Sequence, residues 1–119
     1  MEQEKIIKPS AQTCPECGGA MREESQGTLT RFRCHIGHAM TAEVLAAKQL
    51  DELENGMSAL LRTLNERAAL CRDIAAKRAA SGNIIAAEAW TRAAEEAERR
   101  EKAAQDLVKV EWAHPEAAE

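Results

Sequence analysis

Two short clusters of cysteine and histidine determine the fold that we predict for this chain. The first, C-P-E-C-G-G, occupies residues 14–19, and the second, C-H-I-G-H, occupies residues 34–38. The segment between them has the length of a β-hairpin, with strands predicted over 20–24 and 28–33 and a turn over 25–27. Cysteine and histidine at these spacings are typical ligands of small zinc ribbons. The sequence therefore predicts a zinc ribbon over residues 13–40.

The spacing identifies three of the zinc ligands directly, as Cys14, Cys17 and Cys34. The fourth must be His35 or His38. A residue immediately after a ligand cysteine should project away from the metal, whereas the flexible glycine before His38 allows that imidazole to turn inward. We therefore predict a tetrahedral site that holds one structural Zn²⁺ per chain, with His35 on the surface or behind the ligands. Its ligands are Cys14, Cys17, Cys34 and His38.

A C-x-x-C motif is compatible with two other chemistries. A redox motif normally lies at a helix N-terminus in a thioredoxin-like βαβ chain, a pattern that this sequence lacks. A catalytic zinc ion keeps one position for water and needs an acid–base residue in a cleft, which a short hairpin does not offer. We prefer the structural site. Because about forty residues with few large apolar side chains cannot order themselves alone, zinc is expected to be a condition of ribbon folding.

The second half of the sequence predicts two long helices. Thr41 can cap a helix over 41–80, in which apolar residues recur at gaps of three and four as a heptad seam. A turn over 81–83 contains glycine and asparagine, and the second helix is predicted over 84–110. The short turn requires an antiparallel pair, so we predict a coiled-coil hairpin over 41–112. Its predicted seam is Leu50, Leu53, Met57, Leu60, Leu64, Cys71 and Ile74 on the first helix, and Ile85, Ala86, Trp90, Ala93, Ala97, Ala104, Leu107 and Val108 on the second.

The predicted fold class is therefore mainly α with a small β part, an N-terminal zinc ribbon followed by the helical hairpin. The pair Asn55-Gly56 is unfavourable inside a helix, but the seam keeps its phase across it, so we predict one continuous helix. Residues 1–12 show no periodicity and are predicted to be a flexible tail, and residues 113–119 an acidic tail. Cys71, within the seam, is predicted to be a small core residue and not a reactive thiol.

These motifs together resemble a bacterial module. T-C-P-E-C-G-G at 13–19, R-F-R-C-H-I-G-H-A-M-T at 31–41 and E-V-L-A-A-K-Q-L-D-E-L-E at 43–54 are similar to the C-terminal extension that follows the catalytic domain of some chemotaxis-type protein-glutamate methylesterases. The resemblance covers about residues 8–80 and matches all four predicted ligands. Where that family has G-G-x-L-W-E and G-H-A-Y-S, this chain has Ala20-Met21-Arg22 and Met40-Thr41, so its packing near the metal must differ. The resemblance implies an accessory module of bacterial signalling.

Composition and motifs limit the possible activities. The net charge of -4 argues against a general nucleic-acid binder, whose surface carries an excess of basic residues. No second group of titratable residues suggests an enzyme, and the chain lacks the strands and length of an esterase scaffold. No targeting or membrane segment appears, so no membrane contact and a cytoplasmic location are expected.

We therefore predict a zinc-stapled protein–protein interaction or adaptor module in chemosensory or two-component signalling. The hairpin would be its docking or homodimerisation surface, since apolar residues remain outside the seam. These are Val44, Leu45, Leu61, Leu70, Ile84 and Trp112, the last either at an interface or packed near the ribbon. The alternative is a zinc-ribbon nucleic-acid-binding regulator, in which Arg31 and Arg33 would contact phosphate. A solvated strand face is the simpler interpretation of that arginine pair.

Overall fold

The computed structural model describes residues 4–113 and 115, and it contains a small sheet followed by two long helices. The strands are β1 (Ile6–Thr13), β2 (Ala20–Gln26), β3 (Leu29–Cys34) and β4 (Ala39–Thr41), and the helices are α1 (Ala42–Ala80) and α2 (Ile84–Val108). The predicted fold class, mainly α with a small β part, is confirmed. The chain divides into two compact units, the ribbon unit (Met1–Glu54) and the hairpin unit (Asn55–Glu119).

The prediction of a flexible tail over residues 1–12 is wrong from Ile6 onward, because β1 begins there. β1 pairs antiparallel with β2, and the register shifts after Pro9. Proline is tolerated at this position since β1 is the edge strand of the sheet. The hydroxyl of Ser10 donates to the carbonyl of Met21 at 2.7 Å and ties the strand down. This segment is therefore held by main-chain pairing and side-chain hydrogen bonds. Neither interaction requires alternating apolar residues, so the sequence of the segment shows no such pattern.

The ribbon unit contains one antiparallel sheet with the order β1-β2-β3-β4. β2 and β3 form the predicted hairpin around a tight turn, where Gly27 has a φ of 63°. β4, which we did not predict, pairs with β3 through Ala39 to Thr41. Because neighbouring strands run in opposite directions, the β1–β2 and β3–β4 connections lie at the same end of the sheet. The first Cys/His cluster lies in the β1–β2 connection, and the second runs from the last residue of β3 into the β3–β4 connection.

The core of the ribbon unit lies beside the two ligand-bearing connections and includes Leu45 from the second turn of α1. Met21 is 1% exposed, and Met40 packs against the same cluster. Unbranched methionine fills irregular space, which suits a small core with a single phenylalanine. The buried members are Cys14, Met21, Phe32, Cys34 and Leu45.

α1 begins and continues largely as its sequence predicts. The N–H of Val44 donates to Oγ1 of Thr41 at 3.3 Å, so Thr41 caps the helix. The helix runs without interruption through Asn55-Gly56 to Ala80, which confirms the predicted continuity.

In the hairpin unit, a tight turn connects the end of α1 to α2. Gly82 has a φ of 83°, and Oδ1 of Asn83 accepts from the N–H of Ala86 at 3.1 Å, which caps α2. α2 ends at Val108, two residues before its predicted end. Arg72 Nε donates to Glu98 at 2.8 Å and Asn65 Nδ2 to Glu101 at 3.5 Å. The residue that is earlier on α1 pairs with the residue that is later on α2. The two helices are therefore antiparallel, as predicted.

The seam between these helices is narrower than the sequence predicts. Ile85 is 83% exposed, Leu107 is 59% exposed, Leu53 and Leu60 are each 48% exposed and Val108 is 40% exposed, so the assignment of these residues to the seam is wrong. Ile85 precedes the fully buried Ala94 by about two and a half helical turns, which places it on the opposite side of α2. Small side chains dominate the contact instead, namely Ala68, Cys71, Ala75, Ala87, Ala94, Ala97 and Ala104. The predicted acidic tail, residues 113–119, lies outside the described residues apart from positions 113 and 115.

Candidate metal centre

The two Cys/His clusters bring four possible ligands together at one end of the sheet. Cys14 directly follows β1 and Cys17 lies in the β1–β2 connection, while Cys34 ends β3 and His38 lies in the β3–β4 connection. One sulfur or ring nitrogen from each of these residues lies within 4.8 Å of all the others. The structure thus juxtaposes the four residues that the sequence predicts as ligands.

The separations fit a tetrahedral zinc site. Sγ of Cys17 lies 3.7 Å from Sγ of Cys34. Nδ1 of His38 lies 3.6 Å from Sγ of Cys14 and 3.3 Å from Sγ of Cys34. With Zn–S bonds of about 2.3 Å and Zn–N bonds of about 2.0 Å, a tetrahedral site has S···S edges of about 3.8 Å and S···N edges of about 3.5 Å. The residues present therefore fit a zinc-like ion.

The first ligand turn is held by its own backbone. The N–H of Gly18 donates to the carbonyl of Cys14 at 2.8 Å, and the N–H of Cys14 donates to the carbonyl of Gly19 at 2.7 Å. Gly18 has a φ of 75°, a conformation that favours glycine. A Cβ on Gly19 would lie 2.8 Å from Cε1 of His35, so the His35 ring rests against this glycine. His35 is exposed and lies outside the ligand group, as predicted.

The second ligand turn has a related pattern. The N–H of Gly37 donates to the carbonyl of Cys34 at 3.1 Å, and the N–H of Cys34 donates to the carbonyl of His38 at 2.9 Å. Gly37 has a φ of 112°. The prediction of His38 as the fourth ligand assumed that the glycine before it has this backbone freedom.

The four side chains differ in their access to solvent. Cys14 and Cys34 are each 2% exposed, whereas Cys17 is exposed and the side chain of His38 is 35% exposed. The cluster is therefore anchored in the ribbon core through two sulfurs and open to solvent on the side of the other two ligands. A metal ion can enter from this open side.

The protein environment shifts two of the thiol pKa values in opposite directions. Burial raises the pKa of Cys34, but N–H donors from His38, Ile36 and Gly37 outweigh it and lower that pKa from 9.0 to about 6. At Cys17, a backbone N–H from Gly19 lowers the pKa. Desolvation and the neighbouring cysteines together raise it by more than this, so the net shift of the Cys17 pKa is upward. The backbone N–H groups around Cys34 thus favour its thiolate, the form that binds metal.

Two charged residues near the cluster were missed by the sequence analysis. Oε2 of Glu16 lies 3.5 Å from Nε2 of His38, and Oε1 of Glu16 lies 3.6 Å from Nζ of Lys48 on α1. A signal for Glu16 was available, since it stands between the cysteines of the first motif, within reach of the ligand set. No comparable local pattern marks Lys48.

The remaining cysteine, Cys71, lies in the hairpin unit and is 1% exposed. It is not part of the ligand group. The prediction that it is a small core residue is confirmed.

No family model, curated protein or solved structure matches this chain. Within the described part of the chain, neither helix combines the length and the apolar character needed to cross a bilayer.

Proposed function

We propose that this chain is a zinc-stapled protein–protein interaction or adaptor module. The observation that carries the proposal is the convergence of Cys14, Cys17, Cys34 and His38, whose ligand atoms all lie within 4.8 Å of one another. Four protein ligands complete a tetrahedral shell and leave no position for water or substrate, as in structural zinc sites. The proposal therefore includes one structural Zn²⁺ per chain and no enzymatic activity.

The composition of the ribbon core supports a structural role for the metal. Two of its five buried side chains, Cys14 and Cys34, are ligands, and they pack with Met21, Phe32 and Leu45. Bound Zn²⁺ would offset two of the three thiolate charges and hold the two ligand turns together. Because an unfolded chain offers no preformed site, the free energy of metal binding contributes to folding.

The hairpin unit supplies the surface that we propose for a partner. Its seam consists largely of small side chains, so large apolar side chains remain exposed on and after both helices. Exposed apolar groups of this kind are typical of protein interaction surfaces. They support a protein partner, with a homodimer formed through the helices as one arrangement. The exposed residues are Leu60, Leu70, Ile84, Ile85, Leu107, Val110 and Trp112.

The cellular role that we propose is cytoplasmic bacterial signalling of the chemosensory or two-component type. Its support is the resemblance of residues 8–80 to the C-terminal extension of chemotaxis-type methylesterases. Met21 and Met40 stand at the positions where the family pattern has leucine and tyrosine; Met21 is buried and Met40 packs against the ribbon core.

Native mass spectrometry tests the metal site and counts subunits in the same spectra. We expect one zinc per chain in the wild type and in His35→Ala. His38→Ala should bind zinc much more weakly, because it removes a ligand atom that faces the sulfurs. A metal-free but folded wild type would contradict the proposal, and equal zinc retention by the two histidine variants would remove His38 from the ligand set.

Light scattering across micromolar concentrations tests the interaction surface. We expect concentration-dependent association that weakens when Leu70 and Ile85 are both changed to Gln, since both side chains are exposed and lie outside the seam. Circular dichroism controls for retention of the helices. A strictly monomeric chain that also captures no protein from bacterial lysate would contradict the interaction role.

Nucleic-acid binding is the second candidate, favoured by one feature of the sheet. Arg31 and Arg33 lie on the same face of β3 and, with Lys5, line a hollow of about 240 Å³. Glu24 lines the same hollow and pairs with Lys5 and Arg33, so part of the positive charge is neutralised.

Fluorescence anisotropy with duplex and single-stranded probes tests whether the chain binds nucleic acid. Salt-sensitive binding lost in a variant with Arg31→Ala and Arg33→Ala supports this role, and no binding at low salt removes it.

A further inference from the structure

Behind the histidine ligand, two charged side chains connect the metal centre to α1. Oε2 of Glu16 lies 3.5 Å from Nε2 of His38, and Oε1 of the same carboxylate lies 3.6 Å from Nζ of Lys48. All three residues belong to the ribbon unit. Glu16 lies in the β1–β2 connection and Lys48 in the second turn of α1. One carboxylate therefore bridges a ligand turn and a helix.

The orientation of the imidazole determines which ring atom faces Glu16. Nδ1 of His38 points toward the sulfurs of Cys14 and Cys34, at 3.6 and 3.3 Å. When a metal binds Nδ1, the remaining ring proton of a neutral imidazole is on Nε2. Oε2 of Glu16, at 3.5 Å from Nε2, is the acceptor that a modest closure of this gap would bring into hydrogen-bond range of that N–H. Such a hydrogen bond fixes the tautomer and the ring orientation of the ligating histidine.

We propose that Glu16 is a positioning residue of the metal centre, which orients His38 and links it through Lys48 to α1. The inference rests on the proposed zinc site. Glu16 stands between Cys14 and Cys17, so the turn that fixes two thiolates also fixes the carboxylate. Lys48 attracts the second carboxylate oxygen and holds the first one toward the imidazole.

The link to Lys48 is accompanied by two other contacts between the same face of α1 and the ribbon. Leu45 is 3% exposed and belongs to the cluster that contains two of the ligand cysteines. Nε2 of Gln49 donates to Oε1 of Gln12 at 2.7 Å. Leu45, Lys48 and Gln49 are spaced three and four residues apart, so they share one side of the helix. Through the Glu16–Lys48 link, metal loading is expected to add to the contacts that order the first turns of α1 against the sheet.

Zinc affinity, measured by competition with a chromogenic chelator, provides the first test. Glu16→Ala should lower zinc affinity by about 10-fold, the low end of the range for residues behind metal ligands, since Glu16 is half exposed. Glu16→Gln keeps an acceptor oxygen and should recover part of the loss. Glu52→Ala, an exposed glutamate on α1, serves as the matched control and should bind as the wild type does.

The second test measures whether the Nε2–H of His38 is hydrogen-bonded in the zinc-loaded full chain. In ¹⁵N–¹H imidazole spectra, the Nε2–H of His38 should exchange with water more slowly in the wild type than in Glu16→Ala. The absorption bands of the Co²⁺-substituted protein should keep their positions in both, since the ligand set is the same. Backbone amide exchange over residues 45–49 should accelerate in Glu16→Ala and in Lys48→Met. A role confined to turn stability would leave the Nε2–H exchange unchanged.

The outcomes separate this inference from the zinc site itself. If the wild type binds one zinc and Glu16→Ala binds it equally tightly, or if Nε2–H exchange is the same in both, the positioning role is overturned and the zinc site stands. If the wild type binds no zinc, both are overturned. Weaker zinc binding with faster Nε2–H exchange, each partly restored in Glu16→Gln, supports the positioning role.

Discussion

Sγ of Cys17 lies 3.7 Å from Sγ of Cys34, although 17 positions separate them in the sequence. Cys17 belongs to the β1–β2 connection and Cys34 ends β3, so the two sulfurs meet only when the central hairpin has closed. One of the sulfurs is exposed and the other is buried in the ribbon core. A bound ion would therefore connect a surface turn to the centre of the ribbon unit.

Zinc removal is expected to unfold the ribbon unit and to leave the hairpin unit helical. Two of the four proposed ligands belong to the ribbon core, whereas none of the four is among the buried residues described in the hairpin unit. Structural zinc in small domains contributes an apparent free energy of about 10–16 kcal/mol, which is comparable to the whole stability of such a domain. The measurement is amide chemical-shift dispersion during chelator titration. Residues 20–41 should lose dispersion and residues 60–104 should keep it.

Cysteine variants provide the control for chelation. Cys17→Ser should reproduce the effect of the chelator, because a serine hydroxyl does not replace a thiolate ligand. Cys71→Ser should retain zinc, since Cys71 is buried in the hairpin unit outside the ligand group. A ribbon unit that stays ordered without zinc would show that its apolar core suffices.

Enlarging one alanine of the seam is expected to destabilise the hairpin unit. Ala94 is 0% exposed in α2, so a leucine there forces the helices apart or into strained rotamers. Overpacking of this kind costs about 1–3 kcal/mol. Ala89→Leu is the matched control, because Ala89 is exposed on the same helix and should change the unfolding free energy little. Urea denaturation followed at 222 nm measures both variants, and equal effects would contradict the assignment of the seam.

Local sequence signals were sufficient to predict which four Cys and His side chains cluster and where the two helices begin. The spacing of Cys14 and Cys17, and the glycine before His38, are properties of single turns that do not depend on the rest of the fold. Thr41 and Asn83 cap the helices through hydrogen bonds to N–H groups three residues ahead. Such features are decided within a few residues and can be predicted from the sequence alone.

Features that depend on distant segments were not predictable in the same way. β1 is held by pairing with β2, while Ile6 and Ile7 are both more than half exposed, so no alternation of apolar residues marks it. The seam was misplaced on α2 because alanine is common on several sides of that helix. Burial of Ala94 and exposure of Ile85 depend on where α1 lies, which periodicity alone does not determine.

The ion pairs of Glu24 should contribute to the stability of the ribbon unit above its carboxyl pKa. A hydrogen bond from Lys5 lowers that pKa from 4.5, burial opposes the shift, and Arg33 adds to it. A folded-state pKa below the unfolded value means that the stabilisation is present at higher pH and is lost as the pH falls through the folded-state pKa. The difference in unfolding free energy between the wild type and Glu24→Gln should therefore stay constant from about pH 8 to about pH 5. It should shrink once the pH falls below the unfolded-state pKa of Glu24.

Urea midpoints of the ribbon unit, measured in excess zinc to keep the site loaded, provide this comparison. Glu52→Gln is the control, since Glu52 is exposed. Lys5→Met should remove most of the difference between the Glu24 forms, because Lys5 makes the largest favourable contribution to the shift. A wild-type advantage that grows as the pH falls below about 5 would have the wrong sign and would contradict this assignment.

Gly56→Ala and Gly37→Ala should have opposite effects on stability, because the backbone conformations of the two glycines differ. An added Cβ would meet no heavy atom within 4 Å at Gly56, beyond the helix's own backbone, or at Gly37, so steric contact does not distinguish the sites. Gly56 lies inside α1, where alanine is favoured over glycine by about 0.5–1 kcal/mol. Gly37 has a φ of 112°, where a side chain adds strain of about 1–3 kcal/mol.

Gly56→Ala should therefore raise the urea midpoint of the helical signal and leave zinc affinity unchanged. Gly37→Ala should weaken zinc binding, because relief of the strain turns His38 away from the sulfurs. Chelator competition and far-ultraviolet circular dichroism measure the two effects on the same samples. If Gly56→Ala lowered stability instead, α1 would have to bend at Asn55-Gly56 in a way that needs glycine, and its continuity through this pair would be wrong.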